Sequence, residues 1–116
     1  TILSLMGIKT DVKFHGKDTS ADFTNKDKIV NGNRIVHFAQ CEGWWAAATD
    51  GRYKLVIDKK ESPWLIDMKE DPFELKNCYN DADKKAIAQK MQRELMKQLQ
   101  EFKGTGLNKK QGYILK

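Results

Sequence analysis

The sequence predicts an α+β fold, in which a four-stranded antiparallel sheet is packed by one long C-terminal helix. Four short segments between residues 34 and 67 are rich in β-branched and aromatic residues and are separated by turn residues. After them, over residues 83–103, apolar residues recur every three or four positions, as they do on one face of a helix. We expect a helix end and an irregular linker to precede the sheet.

The first 32 residues differ in character from the rest of the chain. They open with the apolar run Thr1–Met6 and reach Gly7, a residue suited to the left-handed conformation at a helix C-terminus. Because no polar N-cap precedes this run, we interpret it as the end of a helix that starts upstream; the alternative is the first helix of a small domain. Lys9–Gly32 is polar, and we expect a long connection with little regular structure.

The four predicted strands form an antiparallel meander. In chain order they are Arg34–Gln40, Trp44–Thr49, Arg52–Asp58 and Pro63–Asp67. Asp50-Gly51, the strongest hairpin motif in the chain, joins the second strand to the third. Tyr53, Leu55 and Ile57 alternate with polar or smaller residues and therefore share one face of the third strand.

The predicted helix has a single apolar stripe. Ile87, Met91, Leu95, Leu99 and Phe102 follow one another at spacings of three or four residues, with charged and amide side chains between them. This stripe needs a covering surface, and the sheet is the large apolar surface that the sequence predicts. The last five residues, 112–116, can return as an edge strand.

Composition and charge limit the classes of function. The chain has 116 residues, of which 40% are hydrophobic and 32% are charged, which is typical of a globular protein. No apolar run approaches the roughly 20 residues that span a bilayer, so we expect no membrane span. The net charge is +5, but acidic residues lie among the basic ones, so we expect no nucleic-acid partner.

Cys41 and Cys78 fit no zinc or redox spacing, and their pairing stays open.

Motifs that would indicate catalysis are absent from the sequence. It contains no H-E-x-x-H, no glycine-rich phosphate loop and no nucleophile elbow. Of the two histidines, we interpret His37 as a structural residue of a strand and His15 as a solvated one. We therefore predict no catalytic residue and no metal-binding residue in this chain.

Three blocks of the chain resemble, in the same order, the C-terminal region of sulfatases, which are enzymes of the alkaline phosphatase superfamily. Thr1–Ile8 and His15–Ser20 resemble a helix end, P-T-L-L-x-L-A-G-I, and its continuation, x-G-x-S-L. Ala46–Val56 resembles a strand that leads to T-D-x-Y-K-L. Pro63–Asn77 resembles the segment E-L-Y-D-L-x-x-D-P-x-E-x-x-N-L.

The resemblance implies that residues 1–32 are a remnant of a catalytic domain with its connecting segment, and that residues 33–116 form the C-terminal sulfatase subdomain. The nucleophile motif of the family, C-x-P-x-R or S-x-P-x-R, does not occur around Pro63 or Pro72. The resemblance therefore implies that formylglycine and Ca²⁺ belong to the catalytic domain of the parent enzyme, and that no cofactor belongs to this chain. A periplasmic or secreted parent that acts on sulfated carbohydrate is expected.

The same resemblance suggests where this region approaches substrate. In the family, loops of the C-terminal subdomain often help to shape the substrate pocket, and our candidates for such a wall are Glu42, Trp44 and Trp45. The alternative is that both tryptophans pack in the core or at an interface. The expected partner is the catalytic domain of the same polypeptide, whose docking face, when exposed, also allows self-association. The other hypothesis is a free-standing basic module that binds anionic glycans or nucleic acid.

Overall fold

A computed structural model of the chain describes residues 1–14, 16–25, 34–39 and 44–101. The chain divides into two compact units, Thr1–Asn33 and Arg34–Lys116. That the first unit belongs to a catalytic domain stays a prediction.

The first unit contains two short helices. Helix α1 is Ile2–Leu5 and helix α2 is Ser20–Thr24. Gly7 follows α1 with φ 69°, and the Ile8 amide donates to the Leu3 carbonyl at 2.9 Å, which confirms the predicted left-handed helix end. Helix α2 lies inside the segment that we expected to have little regular structure, and that expectation missed it because α2 buries none of its residues.

The second unit contains the predicted sheet and helix. Its strands are β1 (Val36–Ala39), β2 (Trp45–Thr49), β3 (Tyr53–Asp58) and β4 (Trp64–Asp67). A single turn of 3₁₀ helix, Ala82–Lys84, leads into helix α3, Lys85–Glu101. The strands lie in the order β1-β2-β3-β4 and each pairs antiparallel with the next. The α+β prediction is therefore confirmed.

Some predicted features lie outside the described residues. Among them are Gln40 at the end of the first strand, Phe102 and Lys103 at the end of the helix, and the proposed edge strand at 112–116.

The β2–β3 hairpin forms where the Asp-Gly motif predicts it. One side-chain oxygen of Asp50 accepts hydrogen bonds from the backbone amides of Arg52 at 3.0 Å and Tyr53 at 2.8 Å. Gly51 has φ 95°, in the left-handed region that favours glycine. The turn thereby fixes which residues of β2 and β3 face each other.

The core lies between α3 and one face of the sheet, which we call the inner face. Tyr53, Leu55 and Ile57 are buried there, as their alternation predicts. The core cluster also contains Ala46, Ala48, Leu65, Ala88, Met91, Leu95 and Leu99. The two alanines let α3 approach β2 closely, since they present no bulk beyond a methyl group. Burial of each large side chain contributes about 2 kcal/mol to folding.

Helix α3 presents the predicted stripe to the sheet. Met91, Leu95 and Leu99 are buried, and Ile87 packs against the core at its edge. Ala88 is also buried, which widens the stripe by one position. Within the described part of the chain, no helix has the length and apolar content needed to cross a bilayer.

Candidate functional site

The face of the sheet opposite α3, which we call the outer face, carries aromatic residues. Strand register places Phe38, Ala47, Val56 and Trp64 in one row across the four strands, because each is the partner of the next. The sequence predicts that Val36 and Phe38 share a face of β1, and the pairing places that face on the outside of the sheet. An uncovered antiparallel face usually carries polar side chains, so these rings require an explanation.

The two ends of this row rise above its middle. Phe38 and Trp64 remain 39% and 40% exposed, while Ala47 and Val56 between them are small. Trp45 extends the wall on the Phe38 side, with its ring edge-to-face against Phe38 at a centroid distance of 6.2 Å. The result is a cavity of about 420 Å³, which we call the aromatic trough.

The predicted substrate wall divides between two environments. Trp45 lies in the aromatic trough, whereas Trp44 precedes β2 and the Lys60 Nζ atom sits 4.6 Å from the centre of its ring. Glu42 lies outside the described residues. That these three residues contact substrate stays a prediction, and the structure adds Phe38 and Trp64 as further aromatic side chains beside Trp45.

Charged side chains surround the aromatic trough. Lys54 and Glu74 form an ion pair at one end, and Asp58 and Glu61 line the other. One side-chain oxygen of Asp58 accepts hydrogen bonds from the backbone amides of Lys60 at 2.6 Å and Glu61 at 3.2 Å, and these bonds fix the position of the carboxylate. The rim is therefore acidic, although the chain as a whole has a net charge of +5.

The loop after β4 presents apolar side chains to solvent from a fixed backbone. Glu74 has φ 58°, a left-handed conformation that is unfavourable for a residue other than glycine. Phe73 and Leu75, on either side of it, are 82% and 80% exposed. Asn77 anchors the loop, since its side-chain oxygen accepts hydrogen bonds from the backbone amides of Leu65 at 3.0 Å and Tyr79 at 2.9 Å. A loop built in this way is suited to contact with another surface.

A buried carboxylate joins the ends of β3 and β4. Asp67 is 1% exposed. One of its carboxylate oxygens accepts a hydrogen bond from Arg52 Nε at 3.3 Å, and the other accepts one from a second guanidinium nitrogen of Arg52 at 2.9 Å. The Lys69 amide donates to Asp67 at 3.2 Å, and Lys84 Nζ lies 3.8 Å away. Hydrogen bonds from Arg52 lower the pKa of Asp67 to about 2, and the Lys69 amide contributes to the shift. We call this group the Asp67 clasp.

Sequence reasoning missed the clasp. Asp67 ends a predicted strand, where an acidic residue is ordinary, and Arg52 lies 15 positions away. The resemblance to sulfatases is the sequence feature that could have indicated the pair, because Arg52 and Asp67 both lie within the segments that resemble that family. A buried, fully bonded carboxylate of this kind holds the fold together rather than reacting with substrate.

A second concave surface lies beside helix α3. We call it the helix groove; it has a volume of about 640 Å³ and is lined by Tyr79 and by one side of the helix. Lys85 and Arg93 contribute cationic groups to it, and Gln92 accepts a hydrogen bond from the Tyr79 hydroxyl at 3.3 Å. The groove therefore has the polarity of an anion-binding surface.

Among the described residues, no group of three or more His, Cys, Asp or Glu side chains could hold a metal ion. His37 is half-buried in β1, and His15 lies outside the described residues. Cys78 is a buried free thiol, and burial raises its pKa, which disfavours the reactive thiolate. Cys41 lies outside the described residues.

Comparison with known proteins gives a likeness of fold alone. No protein-family model matches the chain, and no curated protein matches it either. Among solved structures, it is similar to the crystal structure of a phosphonate monoester hydrolase of Agrobacterium radiobacter, with a TM-score of 0.62 and 20% identity. The match covers 87% of this chain and 23% of that chain, so the α+β fold described above corresponds to less than a quarter of that hydrolase.

Proposed function

We propose that this chain is the C-terminal region of a larger hydrolase of the alkaline phosphatase superfamily, in which it completes the fold without supplying catalytic residues. The observation that supports the proposal is the fold likeness to a phosphonate monoester hydrolase, which covers most of this chain and 23% of the other. A helix-backed meander of this size is then one region of an enzyme whose reaction takes place elsewhere in the polypeptide.

Within that superfamily we propose a sulfatase. The support is the order of the three sequence blocks that resemble the C-terminal region of sulfatases. The structure gives two residues of these blocks definite roles, since Asp67 forms the clasp and Asn77 anchors the loop after β4. These structural roles give a physical reason for the pattern and require no substrate.

The proposal assigns the reactive groups to sequence outside this chain. Formylglycine and Ca²⁺ held in that sequence would supply the nucleophile and the electrostatic stabilisation for cleavage of a sulfate ester. The partner of this chain would be the catalytic domain of the same polypeptide, in a periplasmic or secreted enzyme that acts on sulfated carbohydrate. The exposed Phe73 and Leu75 support a docking role, because large apolar side chains held out by a fixed loop are suited to burial against another surface.

An activity assay tests the proposal at two levels. The polypeptide that contains this chain and its upstream sequence would be assayed with 4-nitrophenyl sulfate, 4-nitrophenyl phosphate and 4-nitrophenyl phenylphosphonate in the presence of Ca²⁺. We expect the sulfate to be the preferred substrate and the 116-residue chain alone to be inactive. Preference for the phosphonate would support the proposal of a hydrolase but reject the proposal of a sulfatase. Turnover by the 116-residue chain alone would reject the assignment of the catalytic groups.

The helix groove supports a second candidate function. Lys85 and Arg93 line it without an acidic residue among its lining side chains, which favours an anionic ligand. A free-standing module that binds anionic glycans or nucleic acid would use such a surface. Its binding would weaken steeply as salt is added, because each contact releases counterions.

A further inference from the structure

We propose that the aromatic trough binds a small organic cation, in which an amine is carried on an apolar ring. The proposal is independent of the parent enzyme, because it rests on the outer face of the sheet alone. Three features support it: the shape of the trough, the charge of its lining and the exposure of its rings.

The shape of the trough suits one ring. Phe38 and Trp64 stand on strands β1 and β4, so three interstrand spacings of about 4.8 Å, or roughly 14 Å, separate their backbones. Between them the strands carry Ala47, which is small and fully buried, and Val56, which lines the floor of the trough. The volume of about 420 Å³ is within the usual range for small-molecule sites.

The charge of the lining selects a cation. Three carboxylates, on Asp58, Glu61 and Glu74, face one ammonium, on Lys54, which gives the lining a formal charge of about −2. Lys54 is paired with Glu74, so the acidic character lies at the Asp58 end. The carboxylate of Asp58 is held in place by two backbone amides and needs no rearrangement to meet a ligand. An anionic group placed at the Asp58 end would be repelled.

The aromatic walls favour the same ligand. The faces of Trp and Phe rings carry partial negative charge and attract a cation within about 6 Å. Trp64 retains 40% exposure, so an indole ring is open to a ligand. The protein already shows this contact elsewhere, where Lys60 Nζ sits 4.6 Å from the centre of the Trp44 ring. An amine on a ring can stack against the walls and direct its charge towards Asp58 and Glu61.

The binding test compares three ligands that share a phenyl ring and differ in charge. 2-Phenylethylamine, 2-phenylethanol and phenylacetate would be titrated into the 116-residue chain, with the tryptophan indole N–H signals followed by NMR. We expect the amine to bind about five-fold more tightly than the alcohol, because an exposed cation–π contact has roughly that effect, and phenylacetate to bind most weakly. The signals of Trp45 and Trp64 should shift, while that of Trp44 stays in place as an internal control.

Two variants separate the contribution of charge from that of shape. Glu61→Gln should lower the affinity for the amine about three-fold, the effect of losing an exposed ion pair, and leave the affinity for the alcohol unchanged. Trp64→Ala should lower the affinity for both ligands. Glu94→Gln is the matched control, because Glu94 is exposed on α3 and α3 packs against the inner face of the sheet. This variant should leave the affinity for both ligands unchanged. If Trp64→Ala fails to fold, Trp64→Phe and Glu61→Gln still test the proposal.

Three outcomes would overturn the proposal. Equal affinity for amine and alcohol would show that charge is not recognised. Amine binding that shifts Trp44 rather than Trp64 would place the ligand elsewhere. Glucose bound more tightly than 2-phenylethylamine would favour a neutral sugar site over a cation site.

Discussion

Replacing the carboxylate of the Asp67 clasp should destabilise the second unit while leaving its shape unchanged. Asp67→Asn keeps the volume of the side chain but exchanges one acceptor oxygen for a donor, which then faces a guanidinium nitrogen of Arg52 that lies 2.9 Å from the native oxygen. One charge-assisted hydrogen bond is lost and a buried donor is left unsatisfied. Because hydrogen bonds to charged groups contribute about 1.5–3 kcal/mol, we expect a loss of about 2 kcal/mol.

The assay is urea unfolding followed by tryptophan fluorescence. The midpoint should fall with an unchanged slope, and in a thermal scan Tm should fall by roughly 10 °C for a unit of this size. Asp83→Asn is the matched control, because Asp83 is exposed and lies 3.5 Å from Lys84, and its effect should be below about 0.5 kcal/mol. Equal effects of the two variants would refute a stabilising role for the buried pair.

The same pair predicts a dependence on pH. The pKa of Asp67 is lowered to about 2 in the folded protein, so its stabilising contribution is fully present above its unfolded value of 3.8. The contribution is lost as pH falls through about 2, when the folded protein takes up the proton. The stability difference between the native protein and Asp67→Asn should therefore be constant from pH 5 to 7 and shrink below pH 4. A difference that grows on acidification would contradict this.

The remaining predictions concern the core, the buried thiol and the alternative function. Leu95→Ala should cost about 3 kcal/mol in urea unfolding, since Leu95 is buried between α3 and the sheet, whereas Lys97→Ala on the exposed side should change little. In a Cys41→Ser variant, Cys78 should react with a thiol reagent only as fast as the protein unfolds, and rapid reaction in native buffer would contradict its burial. Heparin should bind only weakly at physiological salt; a micromolar Kd with a steep salt dependence would favour the basic binding module.

The sequence was sufficient for the second unit wherever local patterns decide structure. The alternation Tyr53, Leu55, Ile57 predicted the buried side of β3, and the Asp50-Gly51 turn predicted its pairing with β2. The stripe of α3 was predicted from spacing alone. Helix α2 was not predicted, because a five-residue helix without buried residues has no apolar period to detect.

Features that depend on contacts between distant residues were not predicted. Phe38 and Trp64 lie at opposite ends of one row only because of the register of four strands, and no single segment contains that information. The pairing of Arg52 with Asp67 is of the same kind. The candidate wall of Glu42, Trp44 and Trp45 was drawn from neighbours in sequence, and the structure separates the surroundings of Trp44 and Trp45 because consecutive residues point to opposite sides.

The central claim is that this chain is one region of a larger hydrolase whose reactive groups lie elsewhere in the polypeptide. The most direct test is to sequence the gene upstream of the codon for Thr1. We expect a continuous reading frame that encodes a catalytic region with a C-x-P-x-R or S-x-P-x-R motif. A frame that encodes no such region, or one that is interrupted immediately before Thr1, would contradict it.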